Sequence, residues 1–201
     1  MMTTPQRKLR PTLLNTLVPT LAIVAVAVTA TLLVREKVDS GAASPNDVAA
    51  DHRGPIEVGG AFPDFELPDL QGKKHHILNG NAKIWVVNLW ATWCEACMVE
   101  MPSLQKLDDL LGAEGIHVLT ISMDEEYATE VPPVVKRLGL RVPVYVDPDQ
   151  AVGNELEVDM IPVTYVVARE QRKILAIESG EKDWAGPDMI EKLRAMAANL
   201  K

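Results

Sequence analysis

The chain has 201 residues, of which 47% are hydrophobic, and it carries a formal net charge of −8 and two cysteines. This length accommodates one domain with short accessory segments. Two cysteines exclude a small scaffold held together by many disulfides. A pI near 5.0, without clustered basic residues in the body of the chain, excludes a typical nucleic-acid-binding surface. A disulfide between Cys94 and Cys97 would close too short a loop to stabilise the fold, so the pair indicates a chemical role.

The N-terminal part of the chain differs from the rest in composition. Residues 12–34 contain no charged residue, and this length is sufficient to cross a bilayer as a helix. Three basic residues precede the segment and two follow it, which favours a cytoplasmic N-terminus. A cleaved signal peptide is the alternative, although its apolar core is normally shorter. Residues 35–55 are rich in Ser, Ala, Asp, Gly and Pro and predict a flexible linker. We therefore expect a cytoplasmic start and transmembrane anchor over residues 1–34, then the linker, then a folded domain over residues 56–201.

The folded domain alternates between strand and helix patterns, which predicts an α/β fold with a mixed sheet flanked by helices. A β-hairpin is expected first, from residues 62–70 and 73–78 around a turn at Gln71 and Gly72. The later elements follow the spacing of apolar residues. In chain order they are a buried strand at 83–89, a helix at 95–111 ended by Gly112, a strand at 116–122, a helix at 131–138, a strand at 143–146, a short helix at 150–156, two antiparallel strands at 163–168 and 174–179, and a closing helix at 187–200.

The residues that indicate chemistry are Cys94 and Cys97, which follow a predicted buried strand and begin a predicted helix. A thiol at a helix N-terminus lies near unpaired backbone N–H groups and the positive end of the helix dipole, which favours the thiolate. Cys94 at the cap is therefore the predicted nucleophile. Cys97 lies about one turn further on, within reach of Cys94, and is the predicted resolving thiol.

Three other interpretations of the two cysteines fit less well. A structural zinc site needs four ligands, and the histidines that could complete it are scattered along the sequence. They are His52, His75, His76 and His117. Two inert buried cysteines would have no reason to lie at the start of a helix beside Trp93. A peroxidatic cysteine of the peroxiredoxin type would have Thr and Pro three and seven residues before it, where this chain has Ala91 and Val87.

The run from residue 87 to 102, VNLWATWCEACMVEMP, resembles the active-site segment of membrane-anchored thioredoxin-like proteins of the TlpA, ResA and CcmG group. The resemblance extends to GAFPDF at 60–65 and to IPVT at 161–164, and it covers about residues 58–199. It implies a thioredoxin-like fold with an N-terminal β-hairpin extension, without cofactor or metal. The implied location is the cytoplasmic membrane, spanned once through residues 12–34, with the domain facing the periplasm or cell exterior.

The same resemblance implies partners. Members of the group act as protein disulfide oxidoreductases on disulfide-bearing proteins, such as apocytochrome c before haem attachment or an oxidase subunit with copper-site cysteines. Their electrons come from a membrane donor of the DsbD/CcdA type. No nucleic acid is expected as a partner.

Several residues take roles through this resemblance. Pro162 matches the cis-proline that faces the cysteine pair, and the backbone of Ile161 would pair with a substrate strand. An edge-strand proline is the alternative. Trp93 is expected beside the substrate groove. Glu100 resembles the acidic residue beneath the second cysteine, where burial would raise its pKa for proton exchange with Cys97. A solvated helix glutamate is the alternative. Asn88 stands where thioredoxin has a buried aspartate.

The chain also departs from the group's pattern. The residues between the cysteines are Glu95 and Ala96, where proline is common at the second position, and Met160 replaces a glycine. The departures leave the direction of electron flow and the partner open. Two other functions are considered. A copper metallochaperone of the Sco type uses cysteines separated by three residues and a distant histidine, which this chain lacks after His117. A redox-inactive adaptor would keep only the fold.

Overall fold

A five-stranded mixed sheet forms the centre of the domain in the computed structural model, which describes residues 56–200. The predicted anchor at 12–34 and linker at 35–55 lie outside the described residues. Within residues 56–200, none of the helices has the length and apolar character needed to span a membrane. The elements are β1 (Glu66–Pro68), β2 (Lys74–His76), β3 (Ile84–Trp90), α1 (Glu95–Leu111), β4 (Ile116–Ser122), α2 (Tyr127–Leu138), β5 (Val144–Val146), α3 (Ala151–Glu155), β6 (Val163–Ala168), β7 (Lys173–Ser179) and α4 (Pro187–Ala198).

The strand order β5-β4-β3-β6-β7 determines where the site forms. β3 is the central strand, and all seven of its residues are buried, as its apolar run predicts. β3, β4 and β5 are parallel, so their carboxyl ends share one edge of the sheet. β6 runs antiparallel to β3 and pairs Val163 with Leu89. The beginning of β6 therefore lies next to the end of β3, where α1 starts.

Helix α1 begins and ends at the residues that the sequence predicts, Glu95 and Leu111. Its apolar positions at 101, 104, 107 and 111 have no exposed surface, so the three- and four-residue spacing correctly identifies the buried face. The chain then makes a short 3₁₀ turn at Gly112–Glu114. The left-handed position that ends this turn is Gly115, with φ of 87°, whereas Gly112 keeps a helical φ of −55°.

Helix α2 begins earlier than predicted, at Tyr127 instead of residue 131. The two consecutive prolines suggest a helix start, but Pro132 and Pro133 lie inside the helix. The first turn is closed ahead of them, because the N–H groups of Thr129 and Glu130 both donate to the carbonyl of Glu126. The carbonyls that lose their usual helical donors to the prolines belong to Ala128 and Thr129, which are exposed residues.

A separate two-stranded sheet precedes the main sheet. β1 and β2 pair antiparallel within the stretch for which the sequence predicts a hairpin. Asp69 stabilises the turn between them, because its Oδ1 accepts the N–H groups of Gln71 and Lys73 at 2.9 and 3.0 Å. An isolated bridge joins Asp69 to Tyr145 of β5, so the two-stranded sheet lies against the edge of the main sheet.

Candidate active site

The two cysteines form a disulfide at the start of α1. Cys94 is the N-cap residue, with φ of −89° and ψ of 106°, outside the helical region. Its Sγ accepts a hydrogen bond from the backbone N–H of Cys97 at 3.2 Å. The sulfur thus occupies the place of a capping oxygen, close to the unpaired donors of the first turn. After reduction the same donors would stabilise a thiolate on Cys94.

The two sulfur-bearing residues differ in exposure. Cys94 retains 7% of its surface, whereas Cys97 has none. Trp93, directly before the pair, is 71% exposed. An incoming disulfide can therefore reach only the Cys94 side of the pair, which is the arrangement that an outer nucleophile and an inner resolving thiol require.

The segment before β6 faces the disulfide. The Ile161–Pro162 peptide bond is cis, and the carbonyl oxygen of Ile161 lies 3.8 Å from Cys94 Sγ. A disulfide sulfur has no hydrogen to donate, so this is a packing contact in the oxidised protein. The carbonyl of Pro162 accepts the N–H of Gly180 at 2.8 Å, which ties the segment to the chain after β7.

Glu100 lies in the second turn of α1 and is 1% exposed. Asn88 Nδ2 donates to its Oε1 at 2.7 Å, and the Lys182 N–H and Trp184 Nε1 donate to its Oε2 at 3.2 Å each. Burial raises the pKa of the Glu100 carboxyl, and the hydrogen bonds from Trp184, Asn88 and Lys182 oppose that rise only in part. A raised pKa makes this carboxylate a stronger proton acceptor than a solvated one.

Asp124 is a residue at the site that the sequence did not identify. It is 1% exposed and follows the end of β4. Its carboxylate accepts the Thr92 N–H at 3.0 and 3.1 Å, the Thr92 hydroxyl at 2.6 Å and the Ser122 hydroxyl at 2.6 Å. Asp124 therefore fixes the loop that leads into Cys94. An aspartate two residues after a buried strand that ends in a serine is the sequence signal that could have indicated it.

A second group that the sequence did not identify joins α1 to the loop before α4. Trp184 is fully buried, and its backbone N–H donates to Ser103 Oγ at 3.0 Å. The Ser103 hydroxyl lies 2.8 Å from the carbonyl of Glu100. Thr164 completes the group from β6, because its Oγ1 accepts from Asn88 Nδ2 at 2.9 Å. The environment of Glu100 is thus assembled from four separate parts of the chain.

The histidines are distributed away from the cysteines. His75, His76 and His117 pair with three different aspartates, at 2.8, 3.4 and 3.3 Å respectively. His52 lies outside the described residues. Across residues 56–200, no three side chains of the His, Cys, Asp or Glu type come together as a set able to hold a metal ion.

A groove with a volume of 370 Å³ opens beside the disulfide. Trp93, Met123, Gln150 and residues 158–161 line it. The structure thus brings five of the predicted site residues to one edge of the sheet: Trp93, Cys94, Cys97, Ile161 and Pro162. Glu100 lies below them, inside the domain.

A mixed sheet with a CxxC disulfide at a helix N-terminus, opposite a cis-proline, defines a protein of the thioredoxin-like class. The chain belongs to the AhpC/TSA family, whose sequence model matches residues 58–176. It is 31% identical over 112 residues to the thiol-disulfide oxidoreductase ResA of Geobacillus thermodenitrificans, and these residues are 56% of this chain and 64% of that protein. The match therefore spans less than two thirds of that relative's length.

Solved structures share the fold. The thioredoxin domain of a thiol-disulfide oxidoreductase from Bacteroides vulgatus is 19% identical, with a TM-score of 0.60 over 70% of this chain and 98% of that one. A thiol:disulfide interchange protein from a Bacteroides species is 20% identical, with a TM-score of 0.60 over 72% of this chain and 93% of that one. The predicted thioredoxin-like fold and the resemblance to the ResA group are confirmed.

Proposed function

We propose that this protein is a membrane-tethered thiol-disulfide oxidoreductase that reduces protein disulfides outside the cytoplasmic membrane. One observation carries the proposal. Cys94, which retains some exposed surface, is bonded to the fully enclosed Cys97 at a helix N-terminus, and the carbonyl of Ile161, which precedes cis-Pro162, faces the Cys94 sulfur. This arrangement suits reversible dithiol–disulfide exchange.

The reaction begins with the reduced protein. The Cys94 thiolate attacks one sulfur of a substrate disulfide, forms a mixed disulfide and releases the first substrate thiolate. The Cys97 thiolate then attacks Cys94 Sγ and releases the second. Two electrons pass to the substrate, which gains two thiols, and the protein is left with the Cys94–Cys97 disulfide. A membrane electron donor of the DsbD/CcdA type would restore the dithiol.

Glu100 would accept the proton that Cys97 loses before its attack. Glu100 follows Cys97 by three residues on the same face of α1, and its enclosure raises the pKa of the carboxyl. Asn88, Trp184 and the Lys182 N–H hold this carboxyl in place in either protonation state. No solvated base has access to Cys97, because that residue has no exposed surface.

The proposed substrates are proteins with disulfides between cysteines that must later be free, such as apocytochrome c or an oxidase subunit. The name of the relative ResA, a thiol-disulfide oxidoreductase, supports the reaction type. The uncharged residues 12–34 support a single membrane span that places the domain in the periplasm or at the cell exterior.

The test uses the reduced full-length protein with insulin or with an oxidised peptide that contains the two cysteines of a cytochrome c haem motif. We expect stoichiometric reduction by the wild type and none by Cys94→Ser. Cys97→Ser should instead retain the first attack and accumulate a mixed disulfide that mass spectrometry detects. Activity retained in Cys94→Ser would exclude the proposed mechanism.

A further inference from the structure

The groove beside the disulfide has an apolar lining with one ionisable group. Trp93 and Met160 both line the groove and are 71% and 63% exposed, although most large apolar side chains of the described domain are buried. Met123 is a third apolar residue of the lining. Gly153 leaves room for the Met123 methyl group, which a Cβ at that position would overlap. Asp159 is the ionisable residue among those that line the groove.

The chain segments that form the groove carry no positive charge. Residues 90–105, 118–135 and 143–168 contain no lysine, arginine or histidine. They do contain exposed acidic residues close to the lining positions, namely Glu95, Glu125, Glu126, Asp149, Glu157 and Asp159. Arg137 is a basic group against the first turn of α1, where its guanidinium lies 3.7 Å from Met98 Sδ. The six acidic residues outnumber it, so we expect a net negative potential around the groove, which attracts cations from several ångströms away.

We propose that this groove selects a cationic, extended segment of the substrate protein, with an apolar side chain between Trp93 and Met160 and a lysine or arginine facing Asp159. This inference rests on the proposed function and names the chemistry of its substrate. The groove adjoins the reacting sulfur, because Ile161 lines it and its carbonyl oxygen lies 3.8 Å from Cys94 Sγ. A substrate segment seated there places its own disulfide over Cys94.

The apolar and acidic parts of the groove would act at different stages. The negative potential raises the rate at which cationic segments meet the groove, and salt screens this effect. The apolar contact with Trp93 and Met160 holds the segment after it arrives, largely independently of salt. The charge preference should therefore depend on ionic strength, and the preference for an apolar neighbour should not.

The test compares two peptides that differ in one residue. Each carries a single cysteine joined by a disulfide to the uncharged thiol 2-mercaptoethanol, a leucine on one side of it, and either lysine or glutamate on the other. The reduced full-length protein gives two electrons to this disulfide. The products are the peptide thiol, free mercaptoethanol and the oxidised protein. Chromatography of acid-quenched samples gives a second-order rate constant for each peptide.

We expect the lysine peptide to react at least about fivefold faster at low ionic strength, with the ratio approaching one near 1 M salt. Asp159→Lys should invert the ratio. Glu170→Lys, in the exposed turn between β6 and β7 at the other end of the sheet, should leave it unchanged. Any change in the intrinsic reactivity of the Cys94 thiol affects both peptides equally, so it cancels in the ratio of their rate constants within each variant.

Equal rates for the two peptides at low ionic strength would overturn the inference, as would a ratio that Asp159→Lys leaves unaltered. Bis(2-hydroxyethyl) disulfide, small and uncharged, serves as the reference substrate. If the protein reduces this reference but does not discriminate between the peptides, only the charge selection fails. If the reference is not reduced either, the proposed function fails and the inference with it.

Discussion

Glu100 is a carboxyl group enclosed by the protein, and its protonation is coupled to folding. Its pKa is raised chiefly by burial, so the folded protein binds a proton at Glu100 more tightly than the unfolded chain does. The stability associated with this proton is complete below the carboxyl's ordinary pKa. It is lost as the pH rises through the higher pKa of the folded state.

Replacing this carboxyl by an amide should remove the contribution of Glu100 to the pH dependence of the free energy of unfolding. We expect the free energy of unfolding of Glu100→Gln, relative to wild type, to rise as the pH is increased from about 4 to about 8. The amide can also use the Asn88 side chain, because Asn88 Oδ1 has no hydrogen-bond partner among the described residues. Urea unfolding followed by tryptophan fluorescence at several pH values measures the difference.

A matched control is Glu114→Gln. Arg194 hydrogen-bonds to Glu114 and lowers the pKa of this carboxyl, so the wild type should lose stability relative to this variant as the pH falls. The two variants should therefore respond to pH with opposite signs. Parallel unfolding profiles for wild type and Glu100→Gln would show that the Glu100 carboxyl titrates alike in the folded and unfolded states.

At the level of the elements, Asp124 joins the end of β4 to the loop between β3 and α1. Substituting asparagine for Asp124 keeps the shape but replaces one acceptor oxygen by a donor that faces the Thr92 N–H. We expect a loss of about 1–3 kcal/mol in the free energy of unfolding. Because the loop leads directly into Cys94, we also expect at least about a tenfold loss in the rate of disulfide reduction.

Asp108→Asn separates these two effects. Asp108 also accepts a backbone N–H, that of Val118 at 2.8 Å, but it lies near the opposite end of α1 from Cys94. This variant should be destabilised like Asp124→Asn and retain its rate of disulfide reduction. A similar fall in rate in both variants would assign the effect of Asp124 to stability alone.

The same comparison of elements shows what the sequence can predict. Apolar spacing and the cap residue Cys94 are local signals, and they are sufficient to place α1 and the central strands. The hydrogen bond from Thr92 to Asp124 spans 32 positions, and the bond from Trp184 to Glu100 spans 84. Such pairs depend on which strands become neighbours, and that information is not contained in any single segment. The double proline of α2 shows a local signal overridden by the turn that precedes it.

At the level of the whole molecule, the sheet topology concentrates the site at one edge. The ends of β3 and β4 meet the beginning of β6, because the first two strands are parallel and the third is antiparallel to β3. The cysteine pair, Asp124 and the segment before Pro162 therefore converge at the carboxyl ends of the central strands, where open α/β sheets bind ligands. Most of the acidic residues around the groove belong to these same connections, so the negative potential that we infer for the groove would lie next to the reacting sulfur.

The direction of electron flow is a property of the whole folded domain and can be measured as a difference in stability. The difference in free energy of unfolding between the oxidised and reduced protein equals the difference in redox free energy between the folded and unfolded chain, and about 30 mV corresponds to about 1.4 kcal/mol. We expect the oxidised protein to be the more stable form. In the reduced protein Cys97 carries an S–H group although it has no exposed surface, and it lies on the same helix face as the buried Glu100. We expect this enclosure to destabilise the reduced form.

Urea unfolding with and without dithiothreitol tests this expectation. All four tryptophans lie within residues 85–184, so the fluorescence reports the domain. A Cys94→Ser/Cys97→Ser variant, insensitive to dithiothreitol, is the control. A higher urea midpoint for the reduced protein would instead identify an oxidant.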